Sequence, residues 1–260
     1  MKVFYINLEK RKDRKEHMEK LLSRLNVEYT RFEAICPTYD QIKFGKYKKY
    51  FDKACKFVKN FDNEKQNLRL CGVVGVYLSH LKIHQTQLGN TEPYLILEDD
   101  VKITENTIKE LNEIISNDNL NDWDIIRSTY HDDKESKIKK IVGVSRHSRF
   151  RGIKENHDIY GGAHFSCFKD ANKIIEYFKL EDLISVDALY STSLLNVYTK
   201  KIDVTTLGRF GSDIPKISCT KRPSKRKIKV KNVEKKPGLL HHYGHFFHDA
   251  FMPEVNLGLF

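Results

Sequence analysis

The chain has 260 residues, 40% of them hydrophobic and 15 of them Phe, enough for a sizeable core in one large α/β domain or two small ones. Its net charge of +11 suits a polyanionic partner (nucleic acid, an anionic lipid surface or a nucleotide diphosphate) without choosing among them. The five cysteines, Cys36, Cys55, Cys71, Cys167 and Cys219, are odd in number, widely spaced and free of any C-x-x-C pair. That pattern resembles neither a disulfide framework nor a zinc knuckle, and its plain reading is free thiols in a reducing compartment.

The N-terminus enters a short buried strand at Val3-Phe4-Tyr5-Ile6-Asn7-Leu8, with none of the apolar run of a signal peptide. Met18, Leu21, Leu22 and Leu25 then recur at helical spacing among Lys, Arg and Glu. A second strand is expected at Tyr29 to Ala34. Residues 38–68, rich in Lys, Phe and Tyr, read as an irregular or partly helical surface excursion. Gly72 to Leu88 carries the pattern of a mostly buried helix, which Gly89-Asn90 can stop before Pro93. Tyr94-Leu95-Ile96-Leu97 is an unbroken apolar run of the kind found in a central, doubly covered strand.

Further along, a helix is expected at 105–116, with strands at 124–126, 139–142 and 163–168 and helices at 170–179 and 186–197. The strand–helix alternation predicts an α/β sheet with helices on both faces. No run approaches the roughly 18 apolar residues of a membrane span, so the chain as given reads as cytoplasmic, or as a domain cut from something larger. The stretch Lys221–Lys236 is dominated by Lys and Arg, with Glu234 its single acid. It divides the chain into a main domain (1–219), a basic loop or linker (220–236) that could meet an anionic surface, and an aromatic, His-rich segment (237–260) expected to dock back.

The apolar strand runs straight into Glu98-Asp99-Asp100. Three adjacent carboxylates at the end of a buried strand are costly to ionise unless a cation is near. In extended backbone Glu98 and Asp100 point to one side and Asp99 to the other. One face therefore offers two carboxylates to a Mg²⁺ or Mn²⁺ whose other ligands are waters and phosphate oxygens. The position fits the tendency of open α/β sheets to bind ligands beyond the carboxyl ends of their strands. A solvated acidic turn is the plainer reading of the triplet taken by itself.

Four segments, in order, resemble glycosyltransferase family 25, which includes bacterial lipooligosaccharide galactosyltransferases and collagen galactosyltransferases. They are Phe4 to Arg14, Arg31-Phe32-Glu33-Ala34-Ile35, the Gly72 to Leu81 block ending in Ser79-His80-Leu81, and Pro93 to Val101 with its acidic triplet. The likeness is strong over residues 3–101 and looser to about 215. It departs from the family at Val73 and Val74, where an acid is usual, and at Cys36-Pro37, where Asp-Gly is usual.

The resemblance implies a GT-A type, Rossmann-like single domain with a central mixed sheet flanked by helices. It also implies a UDP-sugar donor, Mn²⁺ dependence with Mg²⁺ as substitute, and inversion at the anomeric carbon. Asp100 becomes the principal metal ligand, with Glu98 supporting the metal and Glu98 or Asp99 the donor. Asn7, Arg11 and Arg14 follow the first strand, where side chains and a helix N-terminus can meet a nucleotide; a charged helix start is the plainer reading. Ala34, in the second matched segment, joins the nucleotide-sugar set. His80 is either a hydrogen-bonded core residue or an orienting group near the site.

Gly162, in Gly161-Gly162-Ala163-His164, could let a sugar approach the backbone or mark a bulge. Asp213, in Gly211-Ser212-Asp213, is a donor contact, a second metal ligand or a turn residue. Asp187, at the start of an expected helix, is the candidate general base for an inverting transfer, against a simple role in helix N-terminal charge. His241, His242, His245 and His248 fit no common zinc spacing and read as structural or acceptor-facing.

The function so implied is transfer of a hexose, galactose first and glucose next, to a glycan hydroxyl or to a hydroxylysine of a collagen-like protein. Two other classes compete: a metal-dependent nuclease or nucleic-acid-binding protein using the basic stretch, and a non-catalytic glycan-binding relative.

Overall fold

The computed structural model describes residues 1–55, 64–117, 122–128, 139–140, 164–180, 185–190, 195–200 and 204–206. In chain order these form β1 (Lys2–Asn7), α1 (Lys12–Arg24), β2 (Tyr29–Glu33), α2 (Tyr39–Lys43), a 3₁₀ turn (Lys48–Tyr50), α3 (Phe51–Cys55) and α4 (Glu64–Thr86). There follow β3 (Tyr94–Glu98), β4 (Val101–Lys102), α5 (Glu105–Ile115), β5 (Ile125–Ser128), β6 (Lys139–Lys140) and β7 (Phe165–Phe168). The last described elements are α6 (Ala171–Leu180), α7 (Val186–Leu189), β8 (Val197–Lys200) and β9 (Thr205–Thr206).

Seven strands make one mixed sheet in the order β2-β1-β3-β7-β5-β8-β6, and β4 pairs with β9 in a separate two-stranded ribbon. The strands β2, β1 and β3 run parallel, with Asn7 opposite Glu33 and Ile6 opposite Glu98. β7 then runs antiparallel to both β3 and β5. The expected mixed sheet flanked by helices is therefore present.

Each central strand divides its side chains between two cores. Phe4, Ile96, Ile125, Phe168 and Val197 pack with α4, α6 and α7 on one face. Val3, Tyr5, Leu95, Leu97, Ile126 and Cys167 pack with Met18 and Leu22 of α1 and Leu111 of α5 on the other. Burial on both faces is why the Tyr94–Leu97 run shows no polar alternation.

Two expected boundaries are corrected. The central helix starts at Glu64, well before Gly72, because Glu64 to Arg69 extends the helix with residues that, apart from Leu68, are polar and carry no long apolar signal. The expected 186–197 helix ends at Leu189, and Val197 opens β8, which runs parallel to β5 with Val197 opposite Ile125. The β-branched and aromatic residues Val197-Tyr198-Thr199 suit that buried pairing better than a helix. Gly89 does end the preceding helical stretch, at φ +78°. Among the described residues no helix is long and apolar enough to cross a membrane. Cys36, Cys55, Cys71 and Cys167 are free thiols.

Candidate active site

Because β1 and β3 are parallel neighbours, their carboxyl ends deliver Asn7 and Glu98 side by side. The chain leaves β1 through a short loop closed by the Arg11 N–H donating to the Leu8 carbonyl at 2.8 Å, and then enters α1. It leaves β3 through a turn at Asp99-Asp100, so the triplet is not extended as expected. Asp99 faces β1 and α1 through Asn7 and Arg14, whereas Asp100 is the strongest of the charges acting on Glu98.

Asp99 is almost wholly buried and both its oxygens are committed. Asn7 donates from Nδ2 to its Oδ2 at 2.7 Å, and Arg14 from Nη1 to its Oδ1 at 2.5 Å. Asn7 also donates to the Arg11 carbonyl at 3.1 Å and accepts from Arg31 Nε at 3.1 Å. The Asn7 carbonyl accepts the Ala34 N–H at 2.9 Å. These contacts draw four of the sequence-selected residues, Asn7, Arg14, Ala34 and Asp99, into one cluster that fixes the loop after β1. Arg11 turns instead to Asp13, with Nη2 to Oδ2 at 2.8 Å, and helps hold the Asp13 carboxyl down at about 2.

Asp100 differs from its neighbour. Its Oδ2 lies 3.7 Å from Arg14 Nη1, while its buried Oδ1 has no hydrogen-bond partner. Burial pushes the Asp100 carboxyl up against the pull of the Arg14 guanidinium. Glu98 keeps some solvent contact, yet its carboxyl is pushed well above the usual range, first by its protein surroundings and then by the charges of Asp100, Asp187 and Asp99. Two crowded carboxyls with an unmatched buried oxygen have the donor chemistry of a hard divalent cation site, in which phosphates and waters complete the shell. Among the described residues no group of three or more His, Cys, Asp or Glu is placed to hold a metal ion.

Asp187 lies in the first turn of α7, within electrostatic reach of Glu98 and of Arg127. Arg127 was not evident in the sequence. It is fully buried on β5, its charge is opposed by burial down to about 10 and favoured by Asp187, and its Nη1 donates to the Tyr190 carbonyl at 3.0 Å.

His80 belongs to the core. Its Nδ1 is 3.0 Å from the Tyr190 hydroxyl, which also lies 2.7 Å from His84 Nε2, and His84 Nδ1 is 2.6 Å from the Tyr94 hydroxyl. Burial holds His80 neutral, lowered to about 3, so this network works as a brace between α4 and the end of α7. His84, four residues after His80 on the same helix, was the available clue to it. Ser79 is a brace of another kind: its Oγ accepts the Ile35 N–H at 2.9 Å and donates to the Gly75 carbonyl at 2.7 Å. His164 gives its carbonyl to the Glu98 N–H at 3.0 Å, which brings the segment after Gly162 against the triplet. Gly162, Asp213 and the histidines from His241 to His248 lie outside the described residues.

The model of glycosyltransferase family 25 (LPS biosynthesis protein) matches residues 1–181, which include the carboxylates and the cluster around Asn7. The chain belongs to glycosyltransferase family 25. Glycosyl transfer is thus its general chemistry, and the family match spans every described site residue except Asp187 and Tyr190. No curated protein matches the chain. Among solved structures, the crystal structure of mouse xyloside xylosyltransferase 1 in its apo form is similar at 12% identity and a TM-score of 0.33, over 73% of this chain and 67% of that one. That likeness is too loose to transfer any residue.

Proposed function

We propose that this family 25 member is an inverting, divalent-metal-assisted hexosyltransferase with a UDP-sugar donor, galactose first and glucose next. The acceptor is a hydroxyl of a glycan or of a hydroxylysine in a collagen-like protein. The observation that carries the reading is the contrast between Asp99, saturated by Asn7 and Arg14, and Asp100, whose buried Oδ1 is unmatched beside Glu98. In this reading Asp100 and Glu98 hold Mn²⁺, or Mg²⁺ in its place. Bound there, the ion supplies charge neutralisation to the diphosphate as UDP departs.

The protein's own groups do the rest. Asn7 and Arg14 hold Asp99 and with it the turn that presents Asp100. Arg11 and the start of α1 offer charge toward the nucleotide, and Arg11 already acts electrostatically on Asp100. Asp187, half-buried at the start of α7, accepts the proton of the acceptor hydroxyl, which then attacks the anomeric carbon from the face opposite the nucleotide. Gly162 and Asp213 remain candidates for donor contact. A second role for Asp187, as counter-charge to the buried Arg127, is favoured by their coupling. Asp187→Asn separates the two: a folded variant that keeps UDP binding but loses transfer identifies the base, whereas a strongly destabilised one identifies the counter-charge.

The direct test of the proposal is to incubate the chain with Mn²⁺ and a panel of UDP-sugars and to measure released UDP. Release from UDP-galactose or UDP-glucose that depends on the metal supports the reading. Silence across the panel from folded protein contradicts it.

A further inference from the structure

The excursion between β2 and α4 takes no part in the carboxylate site, yet it leaves the sheet at the same edge, because Glu33 at the end of β2 stands opposite Asn7. Its inner side is anchored on the core: Ile42 and Ala54 are fully buried, and Tyr39, Tyr47, Tyr50 and Phe51 pack against the same cluster. The outer side has the opposite character. Between Thr38 and Cys55 the chain carries Lys43, Lys46, Lys48, Lys49 and Lys53 against only Asp40 and Asp52. In their midst Phe44 is 70% exposed, more than any other large apolar side chain among the described residues.

The exposure of Phe44 is built into the local backbone. Thr38 and Gln41 form a reciprocal capping box that starts α2, and the Gly45 N–H closes the turn on the Asp40 carbonyl at 3.0 Å. A Cβ at Gly45 would stand 3.0 Å from the Gln41 Cα, so glycine lets the chain turn tightly just after Phe44. The lysines lie over the rings: Lys43 Nζ is 5.4 Å from the Tyr39 centroid and 5.1 Å from that of Phe44, Lys46 is 4.8 Å from Tyr47, and Lys49 is 5.0 Å from Tyr50. Ammonium groups are thus interleaved with aromatic rings on a rigid base.

We propose that Phe44 and the lysines around it dock this edge of the chain on the surface of an anionic phospholipid bilayer. Clustered lysines are drawn to anionic headgroups, and an aromatic side chain among them can enter the headgroup–acyl boundary. A protein partner calls for a broader apolar patch than one ring among cations. A single-stranded nucleic acid calls for several free rings on which bases stack, and here the three tyrosines are partly buried against the core, each with a lysine ammonium over its ring, which leaves Phe44 as the one well-exposed ring of the segment. Docking by this surface holds the carboxyl edge, with its acidic triplet, at the membrane.

The full chain is tested by co-sedimentation with vesicles of phosphatidylcholine alone and of phosphatidylcholine with phosphatidylglycerol. Binding is expected only to the anionic vesicles and should weaken as salt is added. Phe44→Ala is expected to weaken it about tenfold, and each Lys→Gln change at Lys43, Lys46 or Lys49 about fivefold. These side chains are at the surface, so the variants should keep the wild-type circular dichroism. Phe44→Trp gives a direct reading, because Trp123, the single tryptophan of the chain, is buried. Its emission should shift to the blue on anionic vesicles. The proposal is overturned if the emission does not shift, or if binding is unchanged in the Phe44 and lysine variants and lost only when the basic residues of 220–236 are neutralised. Capture of single-stranded RNA with the same dependence on Phe44, and no vesicle binding, would assign the surface to nucleic acid instead.

Discussion

Asp99 and Asp100 are chemically identical neighbours with opposite environments, and the difference predicts opposite responses to neutralisation. Asp99 takes two hydrogen bonds from Asn7 and Arg14, the second from a guanidinium. Removing its cationic partner in Arg14→Met leaves a buried carboxylate poorly matched, so denaturant unfolding should show a loss of about 3–5 kcal/mol. Asp100 is pushed up by burial, and its ionised form strains the folded state at neutral pH. Asp100→Asn should therefore raise stability by ~1 kcal/mol in the same measurement while abolishing sugar transfer. A loss of stability in that variant would mean that Asp100 is a structural acid. The acidic triplet and its unusual setting were legible in the sequence from the apolar run before it. The partners of Asp99 were not, since they lie 92 and 85 residues away and no local pattern reports such a pairing.

At the level of elements, α4 is the member that ties the site to the core. Gly75 lets the chain after β2 lie against the helix: a Cβ there would come within 2.5 Å of the Ile35 carbonyl oxygen, which is backbone and cannot swing aside. Gly75→Ala should cost about 1–3 kcal/mol by thermal or chemical unfolding, more than the same change at Gly89 would from crowding, because Gly89 has open space around its Cβ position. One helical turn further on, His80 and His84 brace Tyr190 and with it the four-residue α7 that carries Asp187.

Both histidines are held neutral, with folded pKa values below the ordinary 6.5: His80 at about 3 and His84 well below its usual value, each through burial and His84 also through His80. A depressed histidine pKa means that the unfolded chain binds more protons. The contribution to stability is therefore fully present above pH ~6.5 and is lost as pH falls toward the folded values, by roughly 1.4 kcal/mol per pH unit for each histidine. Melting temperature measured from pH 7 down to pH 4 should fall steeply, and His84→Gln should flatten that limb even though it lowers stability at pH 7. The Ser79-His80 block was visible as a motif, but not its task. A helical histidine on an apolar face looks the same in sequence whether it meets a ligand or a tyrosine from a distant segment. The misplaced 186–197 helix has a similar origin, for Val197-Tyr198 is apolar in either structure and only its pairing with β5 decides for strand.

For the whole molecule, the sheet order explains why one edge gathers so much chemistry. With β2, β1 and β3 parallel and adjacent, their carboxyl ends bring together the Asn7 loop, the Ala34 segment, the acidic triplet and the lysine-rich excursion after β2. The alternation of strands and helices was enough to expect an α/β sheet with helices on both faces, and its mixed character was implied only by the family resemblance. The antiparallel insertion of β7 between β3 and β5 was not legible, because it depends on a crossover among residues with no periodic signature. The proposed function turns on Asp100, with Glu98, completing a metal–nucleotide site at this edge. Calorimetric titration with UDP, with and without Mn²⁺, on the wild-type chain and on Asp100→Asn tests it most directly. UDP binding is expected to require Mn²⁺ and to disappear in the folded variant. Binding of equal strength without the metal, or undiminished in Asp100→Asn, would contradict it.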